Sequence, residues 1–459
     1  MAILFEEHFV PWKFFPRGTK FEPEDRIGGF IRRVVVRQKA VDATETPKIG
    51  EVDESYRLTI PVTNGRYTFG SGPVPQEEPG TVYITANSSY GVMHAFTTLT
   101  QLFYYSNNNR AELLYTSGHR GGVYSSLAPI EIDDKPQFPH RGLNLDVARQ
   151  WYPKADILKT IDALAWNKMN KLHLHVTDSQ SWPLEIPALP ELARKGCYAD
   201  GLTYSPDDLQ DILTWGKKRG VEVIVEIDMP GHTTSIAEAF PDLIAGKNVQ
   251  PDWSKYAAQP PSGSLKLKND KVKNFLTTMF GDLLPRLRGH SQYFHTGGDE
   301  VNKNVYLFDE GIKSNETSVL QPALQDFVSH AHAQLAKTGT TPFVWEEMLL
   351  EWNLTLPKDT IVQTWLSPDS PKKVIEKGYR TITGNYMYWY LDCGNGQWLD
   401  FLPQSYAKFF PFNDYCAPKK SWRLSKNPPP SFLLFSLKKI RLKLETPTTQ
   451  STATTRPQA

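Results

Sequence analysis

From residue 141 onward the sequence repeats one unit: a short apolar strand, a polar residue where the strand runs out, then a helix with apolar residues at helical spacing. "RGLNLDVA" (141–148), "KLHLHVTD" (171–178), "VEVIVEID" (221–228), "SQYFHTGGDE" (291–300), "TPFVWEEM" (341–348), "TIVQTWL" (360–366) and "RTITGN" (380–385) read as strands. Between them "KADILKTIDALAWNKMN" (154–170), "SPDDLQDILTWGKKRG" (205–220), "NDKVKNFLTTMFGDLLPRL", "LQPALQDFVSHAHAQLAKTG" and "PKKVIEKGY" read as helices. Ser205-Pro206 marks one helix start and Gly220 its end. Strands alternating with helices imply a parallel sheet. A doubly wound sheet fits the alternation, but no glycine-rich phosphate loop follows the first strand. A (β/α)8 barrel of the TIM type fits better, because chemistry stands at successive strand ends: Asp146, Asp178, Asp228, Asp299-Glu300, Glu346-Glu347, Trp365 and Asn385. In a barrel those positions converge on one face; an open sheet would spread them along an edge.

The preceding residues have a different rhythm. "GFIRRVVVRQ", "SYRLTIPV" and "APIEIDD" read as strands, and "SYGVMHAFTTLTQLFYY" as a helix. The expected organisation is a small α+β domain over 1–135, a catalytic barrel over 136–424 and a divergent, disordered tail over 425–459. Residues 417–459 hold nine Lys or Arg against the single acid Glu445, and end in a Thr- and Pro-rich tract that builds no core. Net charge is +1, which favours no nucleic-acid partner, and no run of eighteen apolar residues marks a membrane span. Glu6, Glu7 and His8 break the first apolar run and no basic region precedes it, so no signal peptide is expected. Sequons at Asn87, Asn315 and Asn353 hint at glycosylation and a secreted ancestry. Of the three cysteines, Cys393 and Cys416 are the nearer pair. Twelve Trp and twenty Tyr supply flat apolar faces with polar edges, which suit sugar rings as well as a core.

The acid pair in "HTGGDE" (295–300) carries the most chemistry. Side chains on a regular strand alternate faces, so Asp299 and Glu300 can share a site only if the chain leaves the strand there. Gly297 and Gly298 permit that departure. Two close carboxylates oppose each other's ionisation and keep one proton available for general acid catalysis. Enzymes acting on 2-acetamido sugars can use one carboxyl as acid while the substrate's own acetamide oxygen attacks the anomeric carbon and the second carboxylate orients the amide. The His173-x-His175 pair is shared with metal-dependent amidohydrolases, but it stands before the strand end and no lysine follows on a later strand end, so no metal or other cofactor is expected.

"HRGLNLDVAR", "DALAWNKMNKLHLHVTDSQSWPLEIP", "EVIVEIDMPGH", "HTGGDEVN" and "YWYLDCGNG" together resemble glycoside hydrolase family 20, the β-N-acetylhexosaminidases, over roughly residues 10–424. The resemblance implies an exo-acting enzyme that releases terminal non-reducing N-acetylglucosamine or N-acetylgalactosamine from glycans or chito-oligosaccharides, as in chitin degradation, by substrate-assisted retaining catalysis. It implies Glu300 as acid/base and Asp299 as the group that holds the acetamido N–H. It further implies Arg141 on the sugar's 3- and 4-hydroxyls, Asp178 and His232 as a pair tuning Glu300, Trp345, Trp365 and Trp398 as pocket walls, Tyr390 on the acetamide oxygen and Asp392 on a sugar hydroxyl. A secreted or vacuolar location and a homodimer also follow from the resemblance. The family's eighth strand carries a W-[ST]-E motif, and none occurs after Trp398. An incomplete barrel of seven strands is therefore expected, with a catalytically dead relative as the alternative to an active hydrolase.

Overall fold

The computed structural model of the protein describes residues 31–42, 46–61, 80–106, 122–125 and 127–391. They fall into two compact units.

The first unit holds strands β1 (Arg33–Gln38), β2 (Tyr56–Ile60), β3 (Thr81–Ala86) and β4 (Ile130–Asp134) in the order β1-β3-β2-β4. Helix α1 (Ser89–Gln101) starts at Ser88, whose hydroxyl accepts from the Gly91 amide at 3.2 Å. Alternate residues Tyr56, Leu58 and Ile60 of β2 meet Val92, Ala95 and Leu99 of α1 in one apolar cluster. Strand and helix periods thus match across a single core.

The second unit carries seven parallel strands in chain order: β5 (Gly142–Asp146), β6 (Lys171–His175), β7 (Glu222–Glu226), β8 (Tyr293–His295), β9 (Thr341–Trp345), β10 (Ile361–Thr364) and β11 (Arg380–Thr383). Those are the seven strands expected from the repeat. Helices α2 (Lys154–Trp166), α3 (Pro206–Lys218), α4 (Asp270–Leu287), α5 (Thr317–Lys337) and α6 (Ser370–Glu376) cover the outer face. The capping box of α3 forms as its sequence implies: Ser205 Oγ accepts from the Asp208 amide at 3.1 Å, and Gly220 takes φ +68 just past the end. Among the described residues β5 and β11 are the sheet edges. The expected loss of the eighth strand, the tail, Asp392, Trp398 and the Cys393–Cys416 pair all lie outside the described residues.

The two faces separate by parity. Leu172, Leu174, Val223, Val225, Phe294, Val344 and Val362 join the helices in the large outer core. Ile224, Tyr293, Phe343, Ile361 and Ile382 form a second cluster on the inner face. Residues 46–51, which a 1–135 domain would include, belong to the barrel unit instead. Ile49 packs on the inner cluster, its amide donates to Tyr293 Oη at 2.8 Å, and Gln292 Nε2 donates to the Thr46 carbonyl at 3.1 Å. Sequence proximity assigned them to the small domain; burial of Ile49 takes them to the barrel.

Candidate active site

Strand β8 stops at His295, and the next five residues turn the chain so that both acids face the same end of the barrel. Gly297, Gly298 and Glu300 all have left-handed backbone, at φ +67, +101 and +50. The Gly298 amide donates to Asp228 Oδ1 at 2.7 Å, pinning the turn to the end of β7. A Cβ on Gly297 would stand 1.7 Å from that same oxygen, and one on Gly298 would stand 2.5 Å from Met348 Cγ. Glu300 has no such exemption from strain: a non-glycine residue in this region costs ~1–2 kcal/mol, and such costs gather at functional sites.

His232 receives the acids. It too is left-handed, at φ +55, and its Nε2 lies 3.4 Å from Glu300 Oε2 and 3.8 Å from Asp299 Oδ2. Its Nδ1 lies 3.2 Å from Asp178 Oδ1. Asp178 is fully buried and is also reached by His175 Nε2 at 2.9 Å and Arg149 Nη2 at 3.0 Å. Burial opposes its charge, but Arg149 and His232 outweigh burial and hold Asp178 well below the usual carboxylate range. Burial likewise opposes a charged His232, and Asp178 with Asp299 overcomes it, so His232 is held well above its ordinary value. The result is a line Asp178–His232–Glu300 with a cation at its centre.

Further carboxyls crowd the pair. A carboxyl oxygen of Asp228, one of Asp299 and a ring nitrogen of His232 all lie within 4.8 Å of one another. Burial first, then the charge of Asp299, holds Asp228 well above the usual carboxylate range. Asp299 is also raised, by burial first, with Glu300 adding to it and His232 pulling back. Glu347, at the start of the helical turn Glu347–Leu350, accepts the Trp365 indole N–H at 3.0 and 3.1 Å and the Glu300 amide at 3.4 Å. Its carboxyl is pushed from 4.5 up to about 8 by burial and then by Asp299. In the folded state Glu347 therefore keeps a proton that the unfolded chain releases above about 4.5. Its contribution to stability is complete below that value and is lost as pH rises through about 8. Glu347→Gln is expected to flatten the fall in melting temperature between pH 5 and pH 8, checked by thermal melts of both chains across the window set by the 4.5 and 8 values.

The expected site residues do not all arrive. Asp178, His232, Asp299 and Glu300 meet as described. Trp365 stands beside Glu347, and Tyr390 lies parallel to it, ring centroids 6.4 Å apart at 16°. Trp345 is floor rather than wall: it is 6% exposed, its indole donates to Glu226 Oε1 at 2.8 Å inside the barrel, and its ring lies 5.0 Å from that of His295. Arg141 is a correction. It precedes β5, so it sits at the N-terminal end of the strands, where Nε donates to the Lys168 carbonyl at 2.7 Å and Nη1 to the Phe138 carbonyl at 2.6 Å. Among the described residues a guanidinium stands at the acids' end in Arg149, three residues past the strand and fastened to Asp146 Oδ2 at 2.8 Å. Its signal was present: the rule that picked Asp146 at the strand's C-terminal end applies equally to an arginine just beyond it.

His173, Glu226 and His295 bring donor atoms together inside the barrel. His295 Nδ1 accepts the Gly297 amide at 2.9 Å, and His173 Nε2 bonds Glu226 Oε2 at 2.6 Å. Those bonds use the lone pair and the carboxylate that a metal would need.

Over residues 138–432 the chain matches the family described as Glycosyl hydrolase family 20, catalytic domain, and over 1–102 one described as beta-acetyl hexosaminidase like. It is 41% identical over 426 residues to a beta-hexosaminidase of Arthroderma benhamiae, covering 90% of this chain and 66% of that one. It is 32% identical over 346 residues to beta-hexosaminidase 1 of Arabidopsis thaliana, covering 74% and 57%. The fold is similar to the chitobiase of Flavobacterium johnsoniae, with a TM-score of 0.59 at 28% identity over 76% of this chain and 48% of that one. The chain spans 63–66% of the length of the first three curated relatives it matches.

Proposed function

Because the chain belongs to glycosyl hydrolase family 20, we propose that it releases terminal non-reducing N-acetylhexosamine units with retention, the substrate's own acetamide serving as nucleophile. The observation that carries this reading is the left-handed turn that presents adjacent Asp299 and Glu300 to one histidine, His232. Two carboxyls this close cannot flank a sugar ring on opposite faces, so one must act on the leaving group and the other on the substrate's amide.

In this reading Glu300 protonates the glycosidic oxygen and then takes a proton from the water that opens the oxazolinium intermediate. Asp299 accepts the acetamido N–H and balances the charge that develops as the carbonyl oxygen attacks. Asp178 and His232 orient Glu300. Tyr390 donates to the acetamide oxygen and Trp365 lines its pocket. The hydroxyl contact expected of Arg141 passes to Arg149, the guanidinium present at this end of the barrel. Asp392 and Trp398 keep the sugar-binding roles implied by their motif, and glycans or chito-oligosaccharides ending in N-acetylglucosamine or N-acetylgalactosamine are the substrate class.

The test is hydrolysis of an aryl N-acetyl-β-glucosaminide beside the aryl β-glucoside that lacks the acetamide. Release from the first with β-anomer appearing before mutarotation, and none from the second, is the expected result. Comparable cleavage of both would assign the nucleophile to the protein. No cleavage of either by a cooperatively folded chain would overturn the proposed activity.

A further inference from the structure

Asp178 does not end the polar line behind Glu300. On its far side stands His175, whose Nε2 lies 2.9 Å from Asp178 Oδ2 and whose Nδ1 lies 2.8 Å from Glu226 Oε2. Both carboxylates are fully buried. A carboxylate only accepts, so a ring whose two nitrogens both face carboxylates must carry two N–H groups. The other neighbours bear this out. Asp178 also receives Arg149 Nη2 at 3.0 Å, and His232 Nδ1 stands 3.2 Å from its Oδ1. Glu226 also receives the Trp345 indole at 2.8 Å, and His173 Nε2 lies 2.6 Å from its Oε2. Asp178 and Glu226 each stand among groups able to donate, which suits the ionised form of both. His295 Nδ1, which accepts the Gly297 amide at 2.9 Å, lies 3.3 Å from Glu226 Oε1. The charged and titratable groups facing His175 are Glu226 from β7, Asp178 from its own loop, Asp146 from β5, Arg149 just past β5, which shares Asp178 Oδ2 with it, and the rings of His173 on its own strand and His295 on β8.

We propose that His175 is a positioning residue for the acid: a protonated imidazole set between Glu226 and Asp178, which fixes the charge and orientation of Asp178 and, through His232, the pH range in which Glu300 works. No reacting atom touches His175. It holds Asp178 Oδ2, so that Oδ1 is presented to His232, and its charge offsets one of the two buried carboxylates. Burial opposes that charge, but Glu226 foremost and Asp146 next hold His175 well above its ordinary value. The inference rests on Glu300 acting as proposed above, but its charge state can be measured without turnover.

The primary experiment is a pH titration of the full chain labelled with 15N-histidine, the His175 signal being assigned by its absence from His175→Gln. Expected is an imidazolium pattern at His175 from pH 5 to pH 8. A neutral tautomer in that range overturns the proposal, whether or not the chain hydrolyses anything. The second measurement is the pH dependence of kcat for His175→Gln on the aryl acetamido substrate. Loss of a positive charge two links from Glu300 raises proton affinity along the line, so both limbs should move to higher pH by about one unit, which is about tenfold in proton affinity. KM should stay within about twofold, because no substrate contact is lost. A smaller amplitude with unmoved limbs would mean a purely structural role and would sink the proposal. If His175→Gln does not fold, the His175 signal is assigned by through-bond correlation to its own backbone amide and Glu226→Gln serves as the variant: the His175 proton should then leave at lower pH than in the parent, and an unchanged titration counts against the idea. A parent chain that does not hydrolyse the substrate removes the functional reading alone, and the NMR result still decides the state of His175.

Discussion

Glu300→Gln lowers turnover on substrates with poor leaving groups by about 10²–10⁴-fold, the usual share of a positioned general acid. The amide keeps the size of the carboxyl and its approach to His232, so binding should change little and the loss should fall on kcat. Aryl leaving groups that depart without protonation should lose far less in the first step, because they need no acid there. A series of aryl glycosides graded by phenol acidity checks this: the slope of log kcat against leaving-group pKa should steepen in the variant. Equal losses across the series would mean that the substitution disturbs the site generally and does not remove a proton donor.

Gly297→Ala is expected to destabilise the barrel unit and abolish turnover together. The new methyl would lie 1.7 Å from Asp228 Oδ1, inside the bond that the Gly298 amide makes to that oxygen. Left-handed backbone costs an alanine ~1–2 kcal/mol, and overpacking adds ~1–3 kcal/mol. Together these take a large part of the ~5–15 kcal/mol that holds a native domain, which corresponds to a fall in melting temperature of roughly 5–15 °C. Gly298→Ala makes a useful contrast. It meets the flexible side chain of Met348, which can move aside, so its cost should be mainly backbone strain. Thermal melts should therefore rank the parent above Gly298→Ala and Gly298→Ala above Gly297→Ala. The opposite order would mean that the Asp228 contact yields more easily than its burial implies.

Much of this site could be read from residue order. Apolar runs of strand length, each ending on a polar residue, put Asp178, Asp228, Asp299, Glu300 and Glu347 on one face from residue order alone. The two glycines before the acids announced the turn, and both have left-handed backbone. Other residues were misplaced for a physical reason. Arg141 and Arg149 bracket the same strand, and the resemblance assigned the role to Arg141 although the strand-end rule points to Arg149. Strand direction decides, and it sends Arg141 to the bottom. The resemblance makes Trp345 a pocket wall, yet the parity of β9 turns its indole inward to Glu226. The His175–Asp178 contact is local, but the second carboxylate on His175 is Glu226 of the next strand, which no local signal marks.

The chain's own order determined the list of elements and the stock of chemical groups, because strand alternation, helix caps and glycine turns depend on neighbours within a few residues. Tertiary structure alone decided which groups answer each other. Asp178, His232 and Glu300 come from three different strand ends, and Glu226 reaches His175 only because β6 and β7 pair in a register that sets those two residues side by side. A shift of one residue in that register would turn either side chain to the opposite face. The proton line is a property of that strand pairing, and no stretch of sequence contains it.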